Sequence, residues 1–223
     1  MDFAFSDEQQ AFAELARKIF VARCSADQLK TLETGGGPRF DRTLWQELAA
    51  SGLLGIAIPE AFGGAGQGFF ELASVIEEVG RHTAPVPLIE TLVLGALPIA
   101  EFGSEAQKQA LLPAVAEGRL ILSAALLEPE SDPARPDAPL STIATESKGG
   151  WRLQGHKLCV PAGQIAERVL VPARLASGEV AVFVVDTAAP GVRISPLATT
   201  SGEPAASLEF EDVRVTSAER LGD

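Results

Sequence analysis

Two hydrophobic periods divide the chain near residue 119. Before that point apolar residues recur at helical spacing. Ser6 followed by Gln9 forms a capping box, after which Phe12, Leu15, Ala16, Ile19 and Phe20 fall on one stripe. Asp41 caps a second helix carrying Leu44, Trp45, Leu48 and Ala49, which Gly52 stops. Phe69, Leu72, Ala73, Ile76 and Val79 mark a third. The stretch from Leu88 to Phe102 is apolar on nearly every side, the pattern of a helix enclosed by others. Ser104 and Gln107 make a second capping box, opening a helix that Gly118 ends. Residues 1–119 therefore read as an all-α helical domain of about five elements.

After Arg119 the spacing becomes two-residue alternation rich in β-branched residues. It predicts strands at 120–126, 141–146, 151–154, 158–160, 169–172, 180–185, 192–194 and 206–210. Lys148–Gly149–Gly150 and Ser177–Gly178 are hairpin signals, and Pro190–Gly191 punctuates another connection. Many short antiparallel strands imply a sandwich or a barrel over residues 120–223. The segment 130–139, with Pro133, Pro136 and Pro139, reads as an exposed loop.

Composition narrows the function classes. Apolar residues make up 46% of the 223, which excludes a disordered polyelectrolyte. The most continuous apolar run, Leu92 to Ala100, is far shorter than the roughly 20 residues a membrane helix needs. Met1–Asp2–Phe3 leads straight into Ser6–Asp7–Glu8, so no secretory leader is expected and the chain reads as soluble and cytoplasmic. The net charge is −12, and neither half concentrates Lys and Arg, which argues against nucleic acid as a partner. Two cysteines, Cys24 and Cys159, and two histidines, His82 and His156, have no metal-type spacing, so no metal site is expected.

Little chemistry stands out from the residues alone. Gly63–Gly64–Ala65–Gly66–Gln67–Gly68 precedes a helix, where glycines can cradle phosphate, but it lacks a βαβ setting and reads as a structural turn. Glu77 and Glu78 are adjacent on a helix, point to different faces and read as solvated. Glu128, Glu130 and Asp132 also read as solvated, and His156 as an ordinary surface histidine. Cys159, between Leu158 and Val160, reads as a small buried thiol with no partner to lower its pKa.

The order of the pieces adds more. Phe5–Ser6–Asp7–Glu8–Gln9–Gln10 opens the chain, and Trp45–Gln46–Glu47–Leu48 lies in the second helix. Gly52–Leu53–Leu54–Gly55–Ile56–Ala57–Ile58–Pro59–Glu60 is followed by Phe62–Gly63–Gly64, then by Glu77–Glu78–Val79–Gly80–Arg81. Phe102–Gly103–Ser104–Glu105–Ala106–Gln107–Lys108–Gln109 and Leu112–Pro113 come next. Trp151–Arg152–Leu153–Gln154–Gly155–His156–Lys157, Pro190–Gly191–Val192 and Phe210–Glu211–Asp212–Val213–Arg214–Val215 complete the series. In these motifs the chain resembles the acyl-CoA dehydrogenase family across essentially its whole length.

The resemblance implies a multi-domain α and β fold: an N-terminal all-α helical domain (1–119) followed by an antiparallel β-barrel domain (120–223). It also implies FAD as cofactor, an acyl-CoA thioester as substrate, and electrons passed to an electron-transfer flavoprotein. The family reaction is α,β-dehydrogenation, with a carboxylate removing the α-proton while the β-hydride moves to the flavin. That carboxylate lies in a C-terminal helical bundle, which would begin about where these 223 residues end, so no catalytic residue is assigned here.

The flavin motifs depart from the family pattern. Leu-Thr-Glu-Pro, then Gly-Ser-Asp, is matched by Leu126–Leu127–Glu128–Pro129–Glu130–Ser131–Asp132, about two residues short. Lys-x-Trp-Ile-Thr-Asn is matched by Lys157–Leu158–Cys159–Val160–Pro161–Ala162. The cofactor-binding positions so implied are Leu126, Leu127, Ser131, Cys159, Val160 and Pro161, with Ser131 also near the substrate thioester. A threonine has become Leu127, the tryptophan against the flavin ring is Cys159, and another threonine is Pro161, which has no N–H. Two readings follow: an FAD-dependent acyl-CoA dehydrogenase, or a non-catalytic, flavin-poor subunit of a heteromeric one, for example one acting on steroid side-chain CoA esters. Either implies a homo- or hetero-oligomer of dehydrogenase subunits. Phe69, Phe70, Ile89 and Leu92 are candidates for an acyl pocket, with ordinary core packing as the simpler expectation.

Overall fold

The computed structural model describes residues 6–129 and 139–222. Its first half is built from α1 (Asp7–Arg23), α2 (Ala26–Thr34), α3 (Arg42–Ala50), α4 (Phe69–Arg81), α5 (Leu97–Phe102) and α6 (Glu105–Ala116). Ser6 and Ser104 head α1 and α6 with reciprocal capping boxes, as the sequence predicts. Ser25 does the same for α2, a helix the periodicity does not reveal because no side chain on it is buried. Phe20, Leu44, Trp45, Leu48, Leu53 and Leu54 are fully buried and form the centre of this half. The Trp45 Nε1–H donates to the Gly118 carbonyl at 3.2 Å, tying α3 to the end of α6.

The enclosed apolar helix expected over 88–102 is present but not uniform. Residues Ile89–Ala96 wind as a π-helix before α5 begins. Pro98 follows directly and offers no N–H to the preceding turn, so the regular ladder is broken there. The wider coil sets Gly95 flat against the sheet: a Cβ on Gly95 would lie 2.3 Å from the Leu122 Cβ. Thr91 Oγ1 donates to the Leu122 carbonyl at 3.3 Å in the same contact.

The second half is one eight-stranded sheet: β1 (Leu122–Ala124), β2 (Ile143–Ser147), β3 (Gly150–Val160), β4 (Arg168–Leu175), β5 (Val180–Asp186), β6 (Val192–Pro196), β7 (Ala206–Val215) and β8 (Arg220–Leu221). The order is β6-β7-β3-β2-β4-β5-β8, with β1 beside β4. Most ladders are antiparallel, as the family resemblance implies, and the exceptions lie at β4. β1 and β2 share one edge of β4, against residues 168–170 and 174–175, and both run parallel to it. Parallel neighbours require a crossover, which the β2–β3 hairpin and β3 itself supply. Among the described residues no ladder joins β6 to β8. The two strands predicted at 151–154 and 158–160 are one strand, β3, whose pairing to β7 slips between Leu153 and Gly155 and again between Lys157 and Val160.

Candidate functional site

The chain leaves β1 through Ala125, whose N–H still donates to the Leu170 carbonyl at 2.9 Å. Leu127 then makes a single antiparallel bridge to Leu158, whose N–H donates to the Leu127 carbonyl at 2.9 Å. This bridge lays the Leu126–Leu127 segment beside the outer end of β3. Both leucines are about half exposed, at 52% and 53%. Two residues of that end of β3 and the following turn hold a left-handed backbone that β-strands do not use, Cys159 at φ +48° and Ala162 at φ +52°. The first coincides with the extra residue of the second pairing slip and turns Cys159 out to solvent.

Cys159 is therefore exposed, against the expectation of a buried thiol, because the bulge reverses the alternation that would have sent it inward. Of the other predicted positions, Val160 is fully buried and presents only backbone, while Pro161 is half-buried and its carbonyl accepts from Ser123 Oγ at 2.5 Å. Ser131 lies outside the described residues. The structure thus leaves Leu126, Leu127 and Cys159 exposed on either side of the Leu127–Leu158 bridge, with Pro161 half-buried and Val160 buried.

Beneath that surface lies an interaction that sequence reasoning missed. Lys157 is completely buried, and its Nζ donates to Glu128 Oε1 at 2.7 Å. Glu128 also accepts from Ser141 N at 2.6 Å, Ser141 Oγ at 2.9 Å and Thr142 N at 3.0 Å. Burial pushes the Glu128 carboxyl up, but the bonds from Lys157, Thr142 and Ser141 outweigh it and hold it down at about 2. Burial also lowers the Lys157 ammonium, offset in part by Glu128. Glu128 is thus not a solvated loop residue. The available signal was Lys157 itself, a charge at an inward position of an apolar strand, two steps of alternation beyond Leu153.

Other candidates resolve locally. The amides of Ala65, Gly66 and Gln67 donate to the carbonyls of Gly55, Ile58 and Ile56, so the glycine segment spends these donors on the segment that precedes it. A Cβ on Gly64 would lie 1.9 Å from the Ile58 carbonyl oxygen, which is why glycine stands there. Glu78, expected on a solvated face, is buried between α4 and α1, where Arg17 donates to both its oxygens at 2.8 and 3.2 Å. His156 is half-buried, with Nε2 2.5 Å from Ser207 Oγ. Phe69, Phe70 and Ile89 are exposed rather than packed in the core, and only Leu92 is buried. Among the described residues no group of three His, Cys, Asp or Glu is placed to hold a metal, and no helix is long and apolar enough to cross a membrane.

Comparison with known proteins decides the family. The acyl-CoA dehydrogenase N-terminal domain matches residues 6–119, and the acyl-CoA dehydrogenase middle domain matches residues 125–213. The chain belongs to the acyl-CoA dehydrogenase family. Acyl-CoA dehydrogenase FadE27 of Mycobacterium tuberculosis is 35% identical over the whole chain, which covers 57% of that protein. The ChsE4–ChsE5 complex of the same organism superposes with a TM-score of 0.91 at 35% identity, over all of this chain and 58% of its own. A variant of the Tcur3481–Tcur3483 steroid ACAD is 41% identical with a TM-score of 0.87, over 97% of this chain and 57% of its own. An acyl-CoA dehydrogenase from Bacillus anthracis, solved in complex with FAD, is 29% identical with a TM-score of 0.85, over 98% of this chain and 39% of its own. The chain spans a little over half the length of curated relatives it matches.

FAD can be tested against the donor set at the surface just described. The polar edge of a flavin ring presents carbonyl oxygens and ring nitrogens that call for strong donors. The side chains offered are two leucines, one thiol and one proline. Thiols donate weakly, and proline has no N–H. No aromatic ring faces the surface from position 159 either. Among the described residues these side chains offer a flavin ring few donors, whereas the family, including the Bacillus anthracis relative solved with FAD, points to FAD as its cofactor.

Proposed function

We propose that this chain works in FAD-dependent α,β-dehydrogenation of an acyl-CoA thioester, as the flavin-poor member of a heteromeric acyl-CoA dehydrogenase. In this reading residues 1–119 and 120–223 are its helical and sheet domains, the assembly is cytoplasmic, and a second dehydrogenase chain carries the cofactor and delivers electrons to an electron-transfer flavoprotein. The observation that carries the proposal is the exposed Leu126–Leu127–Cys159 surface, with its thiol and proline in place of an aromatic wall and a hydroxyl. Its likeness to a complex named for two chains and to a steroid ACAD named for two chains supports a heteromer. The role left to this chain is to keep a rigid sheet and helical body beside its partner, and Glu128–Lys157 fixes the part of that body nearest the surface.

Flavin content tests the proposal. The chain expressed alone is expected to purify without the flavin absorption bands, and to be recovered with flavin and with acyl-CoA-dependent dye reduction when a neighbouring dehydrogenase chain is co-expressed. Near-stoichiometric flavin on the lone chain would overturn the subunit assignment and leave the simpler reading, a dehydrogenase that binds its own FAD.

A further inference from the structure

Ser123 is the one polar residue in the run 120–127, and it is fully buried in β1. Its Oγ donates to the Pro161 carbonyl at 2.5 Å. That carbonyl lies inside a tight turn. The Gly163 N–H donates to the Val160 carbonyl at 3.1 Å, which makes Pro161 and Ala162 the two central residues, and Ala162 has φ +52°. The proline ring fixes a negative φ at the first of them, so a positive φ at the second identifies a type II turn. Glycine is the usual residue at that second position. For alanine the left-handed backbone is disfavoured by about tenfold, and a type I turn would remove the strain.

The two forms differ by rotation of a single peptide, Pro161–Ala162. Val160 is fully buried and paired with Ala206, and proline cannot change its φ, so this rotation is the movement left to the turn. In type II the carbonyl of that peptide meets Ser123. In type I it points to the opposite side, away from β1, and the buried hydroxyl loses its acceptor. Ser123 therefore opposes the strain at Ala162 with a bond that only the type II form allows.

We propose that Ser123 is a positioning residue: its hydroxyl holds the 160–163 turn in the type II form and keeps the Pro161 carbonyl off the surface to which the partner chain docks. The docking half of this inference rests on the heteromer reading above. Pro161 is half-buried, so a carbonyl turned outward there would have to be stripped of water when a partner covers the end of β3. Held against Ser123, it is satisfied before the partner arrives.

NMR on the isotope-labelled chain reads the turn directly, because the Pro161 Hα lies close to the Ala162 N–H in type II and farther from it in type I. The native chain is expected to show a strong cross-peak between these protons, and Ser123→Ala to lose most of it. Ser123→Ala combined with Ala162→Gly is expected to regain it, since Pro followed by Gly favours type II unaided. A mere packing role for Ser123 would not be rescued by a backbone change at another residue. Affinity for a co-expressed dehydrogenase chain is expected to follow the cross-peak: about tenfold weaker in Ser123→Ala, and within about threefold of native in the double variant. A strong cross-peak that survives Ser123→Ala would overturn the proposal. So would unchanged affinity despite a lost cross-peak. A native chain that captures no dehydrogenase chain would instead overturn the heteromer reading and the docking role with it, while the cross-peaks still decide what holds the turn.

Discussion

Lys157 occupies an inward position of β3, where an alkyl side chain would be the ordinary choice, and it is tolerated because Glu128 comes to meet it. Removing one partner of such a pair leaves an uncompensated buried charge, at a cost of about 3–5 kcal/mol. Lys157→Ala is therefore expected to lower the unfolding free energy by that amount in urea titrations. Glu128→Leu combined with Lys157→Met restores part of it, since apolar groups pack without a desolvation penalty. It does not restore all, because the amides of Ser141 and Thr142 lose their acceptor. The pair also sets a pH dependence. The folded carboxyl sits at about 2, below the ordinary glutamate value near ~4.3, so its contribution is complete above that value and disappears as the pH falls toward 2. Native protein is expected to lose stability over this acid window more steeply than Glu128→Gln, as read from urea midpoints at several pH values. Equal slopes would show that Glu128 does not govern the acid limb.

Two capping boxes of the same chemistry are asked to do different work at the scale of the element. In α6, Gln107 Oε1 accepts from Ser104 N at 2.9 Å, while Nε2 donates to the carbonyls of Ala218 and Arg220, also at 2.9 Å each. One side chain thus starts a helix and fastens it to the approach to β8. In α2, Gln28 closes the same box on a helix with no buried residue. Gln107→Ala is expected to cost about 2–3 kcal/mol, as a cap plus two partly buried hydrogen bonds, and Gln28→Ala under about 1 kcal/mol. Matching losses would mean that the contacts to Ala218 and Arg220 carry no stability. The comparison also shows what periodicity makes legible. Ser104 and Gln107 are visible because an apolar helix follows them; Ser25 and Gln28 are equally regular but precede a helix that buries nothing, so no stripe announces it. β3 fails differently: its alternation holds from Leu153 to Lys157 and is broken by the second slip against β7, a partner some fifty residues away, where Cys159 changes sides. The residues of the candidate surface are readable as a motif, whereas their exposure and the pair beneath them depend on pairing that a linear pattern does not encode.

The whole molecule holds together where the π-helix meets the sheet. Gly95 against Leu122 and Thr91 against the Leu122 carbonyl join the two halves at β1, the strand that also feeds the Leu126–Leu127 surface. A side chain at position 95 would drive its Cβ into the Leu122 Cβ, an atom fixed to backbone with no rotamer to escape by. Gly95→Ala is therefore expected to destabilise the chain by about 1–3 kcal/mol through overpacking, despite the better helix propensity of alanine. Leu122→Ala alone opens a cavity in a fully buried position and costs about 2–5 kcal/mol. The Cβ atoms still collide in the double variant, but the crowding by the Leu122 Cγ and Cδ1 atoms is gone. The pair should then be less destabilised than the sum of the singles, with a coupling of about 0.5–3 kcal/mol. Simple additivity in the cycle would place the joint between the halves elsewhere. Because β1 passes from this contact straight to the exposed leucines, strain at Gly95 is also expected to raise amide exchange at Leu126 and Leu127 before it does so at β5 or β7, which are reached only through further ladders.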